Sequence, residues 1–339
     1  MEKEAKTTMP ERKTGADTIQ RLLAFGALVI LFVVFSLASP YFFTFSNIVG
    51  ILVSTAVNGL LAIGVTFIII SGGIDLSVGT VMTLSSVMAA VIVNKLNLPL
   101  PFGVLVPLGA LVAILTGAFA GVLNGLMVSK LKLPPFIATL GMLNVARGLA
   151  LVITDLSPSY FPLESGWNEI AMGSILGSII PGFEIPNAVL IMFGAALIAG
   201  LILGKTVLGR YTFAIGSNEE AARLSGLNII LWKTIIYATG GFFIGVAGVV
   251  IAARLNSAQP ALGLGYELDA IAAAVIGGVS LSGGEGTMLG TIIGAFIIST
   301  LTNGLRILSV PQEWQIVVTG VIIILAVFLD ILRRQAKNK

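Results

Sequence analysis

A series of apolar runs, each about as long as a bilayer is thick, constrains this chain more than any other feature. A helix needs about 20 apolar residues to cross a hydrocarbon core of roughly 30 Å. Runs of that kind recur at 22–39, 48–70, 76–94, 101–127, 135–153, 187–203, 234–253, 268–279, 288–302 and 314–331. Only 10% of the residues are charged, against about 25% in a soluble domain. The runs are continuous rather than alternating every second residue, which argues against a transmembrane β-barrel. The expected fold is therefore an all-α polytopic membrane protein with about ten transmembrane helices. The eighth and ninth runs are short. Gly277-Gly278 and the stretch SLSGGEG interrupt them, as in broken or re-entrant helices buried in protein.

The chain contains no Cys and no His. That excludes disulfides, thiol chemistry, His-ligated haem and most zinc or copper sites, so no metal site is expected. It also removes the commonest general acid–base group. The nearest approach to a phosphate-binding GxxxxGK[ST] loop is Gly204-Lys205-Thr206, where Ala199 replaces the first glycine. No catalytic residue, and no cofactor on this chain, is expected.

Charge sets an expected orientation. With ten spans and the N-terminus inside, every Lys and Arg falls on the inner side except Lys95, Arg254 and Arg306 outside and Arg147 within a span. This is the bias of the positive-inside rule. Segment 154–186 then lies outside and carries no Lys or Arg. Residues 1–21 lack the pattern of a cleaved signal and read as a cytoplasmic tail. Residues 22–331 form the transmembrane domain, 332–339 a second cytoplasmic tail, and 204–233 a cytoplasmic loop.

A short internal echo suggests two related halves. Asn124-Gly125-Leu126 precedes Pro134, and Asn303-Gly304-Leu305 precedes Pro311. SGGID at 71–75 is matched by SGGEG at 282–286. Paired halves of this kind occur in many transporters.

The loop at 204–233 is a polar island that holds four of the 19 Lys and Arg residues. Ser217 and Glu220 have the spacing of a capping box, so a helix is expected from Asn218. Glu219 and Glu220 in its first turn suit the helix dipole. Gly226 ends it. A helix of about two turns is not stable alone and must pack on something. Ala221, Ala222 and Leu224 are small or apolar enough for a partner's groove, and Arg223 suits an acidic rim. A solvated loop helix with no partner is the plainer alternative.

The spacing of Glu220, Ala221, Ala222 and Gly226 resembles the coupling-loop signature of permease subunits of bacterial ABC importers. SGGIDLSVG at 71–79, LPPFIATLGM at 133–142, GRYTFAIGSNEEAARLSGLN at 209–228 and LDAIAAAVIGGVSLSGGEGTMLGT at 268–291 extend it. Together they resemble the ribose-type sugar permeases over residues 20–331. The resemblance implies a fold like that of the cobalamin importer and a pore made by two permease copies. It also implies an ABC ATPase subunit holding ATP-Mg, and an extracytoplasmic sugar-binding protein. Residues 217–223 and Gly226 would couple to the ATPase.

Asp75 is expected at the membrane edge, either as a cap for the helix starting near Ser77 or as a substrate contact. Arg147, the cation within a span, either pairs with Glu267 or Asp269 near the outer surface or serves translocation. Asn58, Asn124, Asn144 and Asn303 would suit a sugar-lined pore or interhelical hydrogen bonds. Gly283 and Gly284 lie where a cytoplasmic gate is expected. Gly117, Gly121 and Gly125 form a small-residue ridge for close packing.

The expected function is thus the pore of an ABC importer for a small sugar such as ribose. The expected site is the bacterial inner membrane, with both termini cytoplasmic and no nucleic acid partner. Xylose, galactose, inositol or a sugar-like signal are alternative substrates. A secondary transporter is the rival class, and it would need intramembrane acids for its coupling ion.

Overall fold

The structure, a computed structural model, describes residues 14–337 apart from 97, 181 and 183. Residues 1–13 and 338–339 of the two expected tails lie outside the described residues. All ten expected runs are helical. They are α1 (Thr14–Ala38), α2 (Phe45–Ile70), α3 (Val78–Ala90), α4 (Phe102–Ser129), α5 (Pro135–Ile153), α8 (Asn187–Lys205), α11 (Ile229–Leu255), α12 (Tyr266–Ile276), α13 (Met288–Ile307) and α14 (Gln312–Lys337). Shorter helices are α6 (Glu169–Met172), α7 (Ile175–Ile179), α9 (Val207–Ser217) and α10 (Glu219–Leu224). Helix α1 starts well before residue 22, and α14 continues through Arg333 and Arg334.

Among the described residues, seven helices are long and apolar enough to cross a membrane: α2, α3 with its π-helical extension Val91–Lys95, α4, α5, α8, α11 and α13. The apolar parts of α1 and α14 are shorter. Helix α12 has only 11 residues, about 16 Å of rise, and cannot span a bilayer core alone.

Close backbone approach holds the bundle together. Gly117, Gly121 and Gly125 lie on one face of α4 against α11. A Cβ on Gly125 would stand 2.6 Å from the Thr234 Cα, and one on Gly117 would stand 2.6 Å from the Gly245 nitrogen. The expected ridge is therefore a packing surface. Helices α12 and α13 meet in the same way: a Cβ on Gly294 would collide with the Ala273 carbonyl. Helix–helix association in lipid relies on such van der Waals contact, because burial of apolar surface offers no gain there. Gly294→Ala should therefore cost about 1–3 kcal/mol, seen as a lower thermal midpoint in detergent. Gly141→Ala, where a Cβ meets nothing within 4 Å, should leave the midpoint unchanged.

The described residues of segment 154–186 form a cap over the end of the bundle opposite α10. Strand β1 (Ser159–Tyr160) pairs antiparallel with β2 (Ser257–Ala258), with Ser159 opposite Ala258. Trp167 is fully buried and stacks on Phe161 at 4.4 Å between ring centroids. Lys95 at the end of the π-helical turn bonds the Ile153 carbonyl at 2.6 Å. These contacts tie the cap to α3, α5 and α11.

Candidate coupling and translocation site

The polar island folds as two helices rather than one. Helix α9 consumes Ser217 as its last residue. The N-cap of α10 is therefore Asn218, whose Oδ1 accepts from the Ala221 N–H at 2.9 Å. Ser217 caps nothing, and the expected start shifts by one residue. At the other end Gly226 has φ +89°. Its N–H donates to the Arg223 carbonyl at 3.0 Å, and the Leu227 N–H donates to the Ala222 carbonyl at 3.1 Å. These two bonds make a Schellman motif, so Gly226 ends the helix as expected.

Two ion pairs fix α10. Glu220 receives the Arg223 guanidinium, with Nε to Oε2 at 3.1 Å. Lys233 at the start of α11 bonds Glu219 at 2.6 Å. Arg223 is thus committed to its own helix, with its guanidinium still exposed. Hydrogen bonding from Arg223 holds the Glu220 carboxyl below its ordinary value of 4.5. The pair is therefore present above that value and is lost as pH falls through the lowered one. Ala222 is buried against the chain itself, not free for a partner. Glu219, Glu220, Ala221, Arg223 and Leu224 are exposed, with Leu224 at 78%.

The candidate pore residues do not converge on one cavity. Asp75 is buried inside the bundle. Its Oδ1 accepts from the Ser77 backbone N–H at 2.8 Å and the Ser77 hydroxyl at 2.6 Å. Asn124 Nδ2 on α4 donates to Asp75 Oδ2 at 3.2 Å and to Ser77 Oγ at 3.0 Å. Asp75 therefore holds its own turn and α4, and does not reach the α3 amides beyond Ser77. The N-cap of α3 is Ser77, which makes no side-chain cap. Asn303 on α13 donates to Asn47 Oδ1 on α2 at 2.9 Å, an interhelical bond far from Asp75. Asn58 is half-buried on α2. Asn144 and Arg147 are both exposed on α5, one turn apart.

Arg147 makes no ion pair among the described residues, so its expected partners are not its partners here. Glu267 is buried. Both its oxygens accept from the Gly265 N–H, at 3.0 and 3.1 Å. A Cβ on Gly79, in the first turn of α3, would stand 3.1 Å from Glu267 Oε2. The start of α12 therefore lies beside the first turn of α3, with Glu267 buried there while Leu264 and Leu268 stay exposed. Sequence reasoning missed this burial, and it also missed Tyr237, a fully buried side chain on α11 whose hydroxyl donates to the Ile74 carbonyl at 3.4 Å.

Gly283 is buried, and Gly284 N–H donates to the Ile70 carbonyl at 2.8 Å. The glycine turn after α12 is thus docked on the end of α2. Among the described residues no group of three or more carboxylates is placed to hold a metal ion.

The protein is thus a helical bundle with spans of membrane-crossing length, a short broken helix inside and a charged, capped helix outside. The chain belongs to the family described as branched-chain amino acid transport system / permease component, whose model matches residues 47–327. It is 42% identical to the ribose import permease protein RbsC of Bacillus subtilis (strain 168) over 331 residues, covering 97% of this chain and 98% of that one. The ribose import permease protein RbsC of Haemophilus influenzae is 40% identical, covering 95% and 98%. The xylose transport system permease protein XylH of the same organism is 34% identical, covering 94% and 98%.

Proposed function

We propose that two copies of this chain form the translocation pore of an ABC importer for ribose in a bacterial inner membrane. The observation that carries this reading is α10. It is capped at both ends, braced by Lys233, and exposes Glu220, Ala221, Arg223 and Leu224 away from the bundle. An ATPase subunit carrying ATP-Mg engages that surface. The Lys and Arg distribution supports a cytoplasmic position for α10 and both termini. The cap at 154–186 then faces outward, where a sugar-binding protein docks. This chain hydrolyses nothing and holds no cofactor.

Ten helices crossing or entering the membrane, in two related halves, fit the cobalamin-importer type of permease. Contact between the echoed segments supports the halves: a Cβ on Gly283 would stand 2.9 Å from the Gly72 nitrogen. Residues 1–21 and 332–339 flank the transmembrane domain as tails. The exposed face of α5 supports a pore shared by two copies. A bare guanidinium is costly in hydrocarbon, so Asn144 and Arg147 face a watered path or the second copy. Asp75, Asn124 and Asn303 hold the wall in shape. Asn58 lies on a wall helix, and Gly283 and Gly284 form the inner gate. ATP-driven closure of the ATPases shifts α10 between two positions, and the bundle follows.

Buried Asp75 and Glu267 supply the intramembrane acids that a secondary transporter would need, so that class is the second reading. Vesicles holding the permease, its ATPase and its binding protein separate the two. ATP inside should drive accumulation of labelled ribose that survives collapse of the proton gradient. Uptake that follows the gradient and ignores ATP would overturn the importer reading. Xylose, galactose and inositol offered as competitors would test the substrate.

A further inference from the structure

Three backbones meet beside α10, and glycines in each let them approach. The first is the end of α2, Ile70 to Gly72. The second is the end of α9, Gly216 and Ser217. The third is the turn after α12, Gly283 and Gly284. A Cβ on Gly216 would collide with the Ile70 carbonyl and stand 2.7 Å from the Gly284 nitrogen. One on Gly283 would stand 2.8 Å from the Gly216 carbonyl, and one on Gly284 2.6 Å from Ser217 Oγ. Gly72, Gly283 and Gly284 have φ between +75° and +81°, a conformation that side chains disfavour. The Gly284–Ile70 hydrogen bond closes the junction.

We propose that this junction is a rigid link that carries displacement of α10 into the bundle, with Gly216 and Gly284 as positioning residues. The inference rests on reading α10 as the surface that the ATPase engages. No linker separates the two parts: Ser217 is in the junction, and the next residue, Asn218, caps α10. Apart from Ser217 Oγ against Gly284 the contacts are main chain on main chain, so little side-chain adjustment is available to absorb a shift. Packed interfaces of this kind move as units rather than deform.

The junction has two outlets, one to the start of α3 and one to the short helix α12. Ile70 leads through Gly72 to Asp75 and the start of α3. Gly283 and Gly284 lie between α12 and α13, which grip each other at Gly277 and Gly290, where a Cβ on Gly277 would stand 2.6 Å from the Thr291 nitrogen. The starts of α3 and α12 touch again at Gly79 and Gly263, where a Cβ on Gly263 would stand 2.5 Å from Thr83 Oγ1. A push on Ser217 therefore reaches both starts together.

The chain has no cysteine, so a nitroxide on Leu268→Cys reports cleanly on α12, where Leu268 is exposed. The spectrum is recorded for the complex of permease and ATPase in nanodiscs, with and without ATP plus vanadate. The nucleotide should shift it in the Leu268→Cys background. Insertion of two glycines between Ser217 and Asn218 lengthens the link and leaves both the junction and α10 intact. It should preserve co-purification and ATP hydrolysis while abolishing the shift, and Gly216→Ala should do the same. A spectral shift that survives the insertion overturns the rigid link and leaves the α10 reading standing. Failure of the ATPase to co-purify with unmodified permease overturns the α10 reading and the link with it.

Discussion

Glu220→Arg should abolish co-purification of the permease with its ATPase in detergent. The substitution replaces an exposed acid in the first turn of α10 with a second cation beside Arg223. It removes the ion pair that orders the outer face of the helix and sets a positive charge at the positive end of its dipole. Reversing one charge in a docking surface disturbs both the attraction and the register of the partner, so binding should weaken at least about tenfold. The fold of the bundle should survive, because the carboxylate is solvated and exposed pairs add little stability. An unchanged thermal midpoint with lost co-purification is therefore the expected pair of results. Binding that is indifferent to Glu220 would remove α10 as the docking surface.

Asn124→Asp should destabilise the bundle itself. Asn124 is buried and gives its amide hydrogens to Asp75 and Ser77. Aspartate is nearly the same shape but donates nothing when ionised. It would set a second acid against Asp75 inside the protein, with no cation among their hydrogen-bond partners. An uncompensated buried charge costs about 3–5 kcal/mol, and thermal unfolding in detergent would register it as a large drop. Asn124→Ala removes the donor without adding a charge and should cost about 1.5–3 kcal/mol. Equal midpoints for all three proteins would show that the Asp75–Ser77–Asn124 cluster does not hold α3 to α4.

The elements of the fold were legible because length and apolarity are local properties. A run of about 20 apolar residues is helical in a bilayer whatever its neighbours do. The end of α10 was legible for a similar reason, since Gly226 supplies the left-handed residue of a C-terminal cap. Its start was misread by one residue. Ser217 and Asn218 are both good caps, and only the end of α9 decides between them. Arg223 and Ala222 were read as free for a partner because the pattern shows a helix face, not what covers it.

The site was less legible. Asn303 and Asn124 occupy matching positions in the echoed segments, yet one bonds Asn47 across helices and the other holds Asp75. An amide names what a side chain can do, and direction depends on packing. Glu267 was placed near the outer surface because hydropathy marks where an apolar run begins, not how deep it lies. In the fold, the chain after α11 turns back beside α3 before α12 starts, which carries the acid inward.

By itself, then, the sequence determined that this chain is a helical membrane bundle, that it has no thiol or imidazole chemistry, and that a short charged helix hangs from it. Those conclusions need only the local cost of exposing backbone and charge to lipid. Tertiary structure alone decided which backbones meet. Residues 72, 216 and 284 are far apart in the chain, and their glycines signal permissiveness without naming a neighbour. Contact at that junction follows from helix packing, in which every atom excludes every other, and no pattern along the chain encodes it.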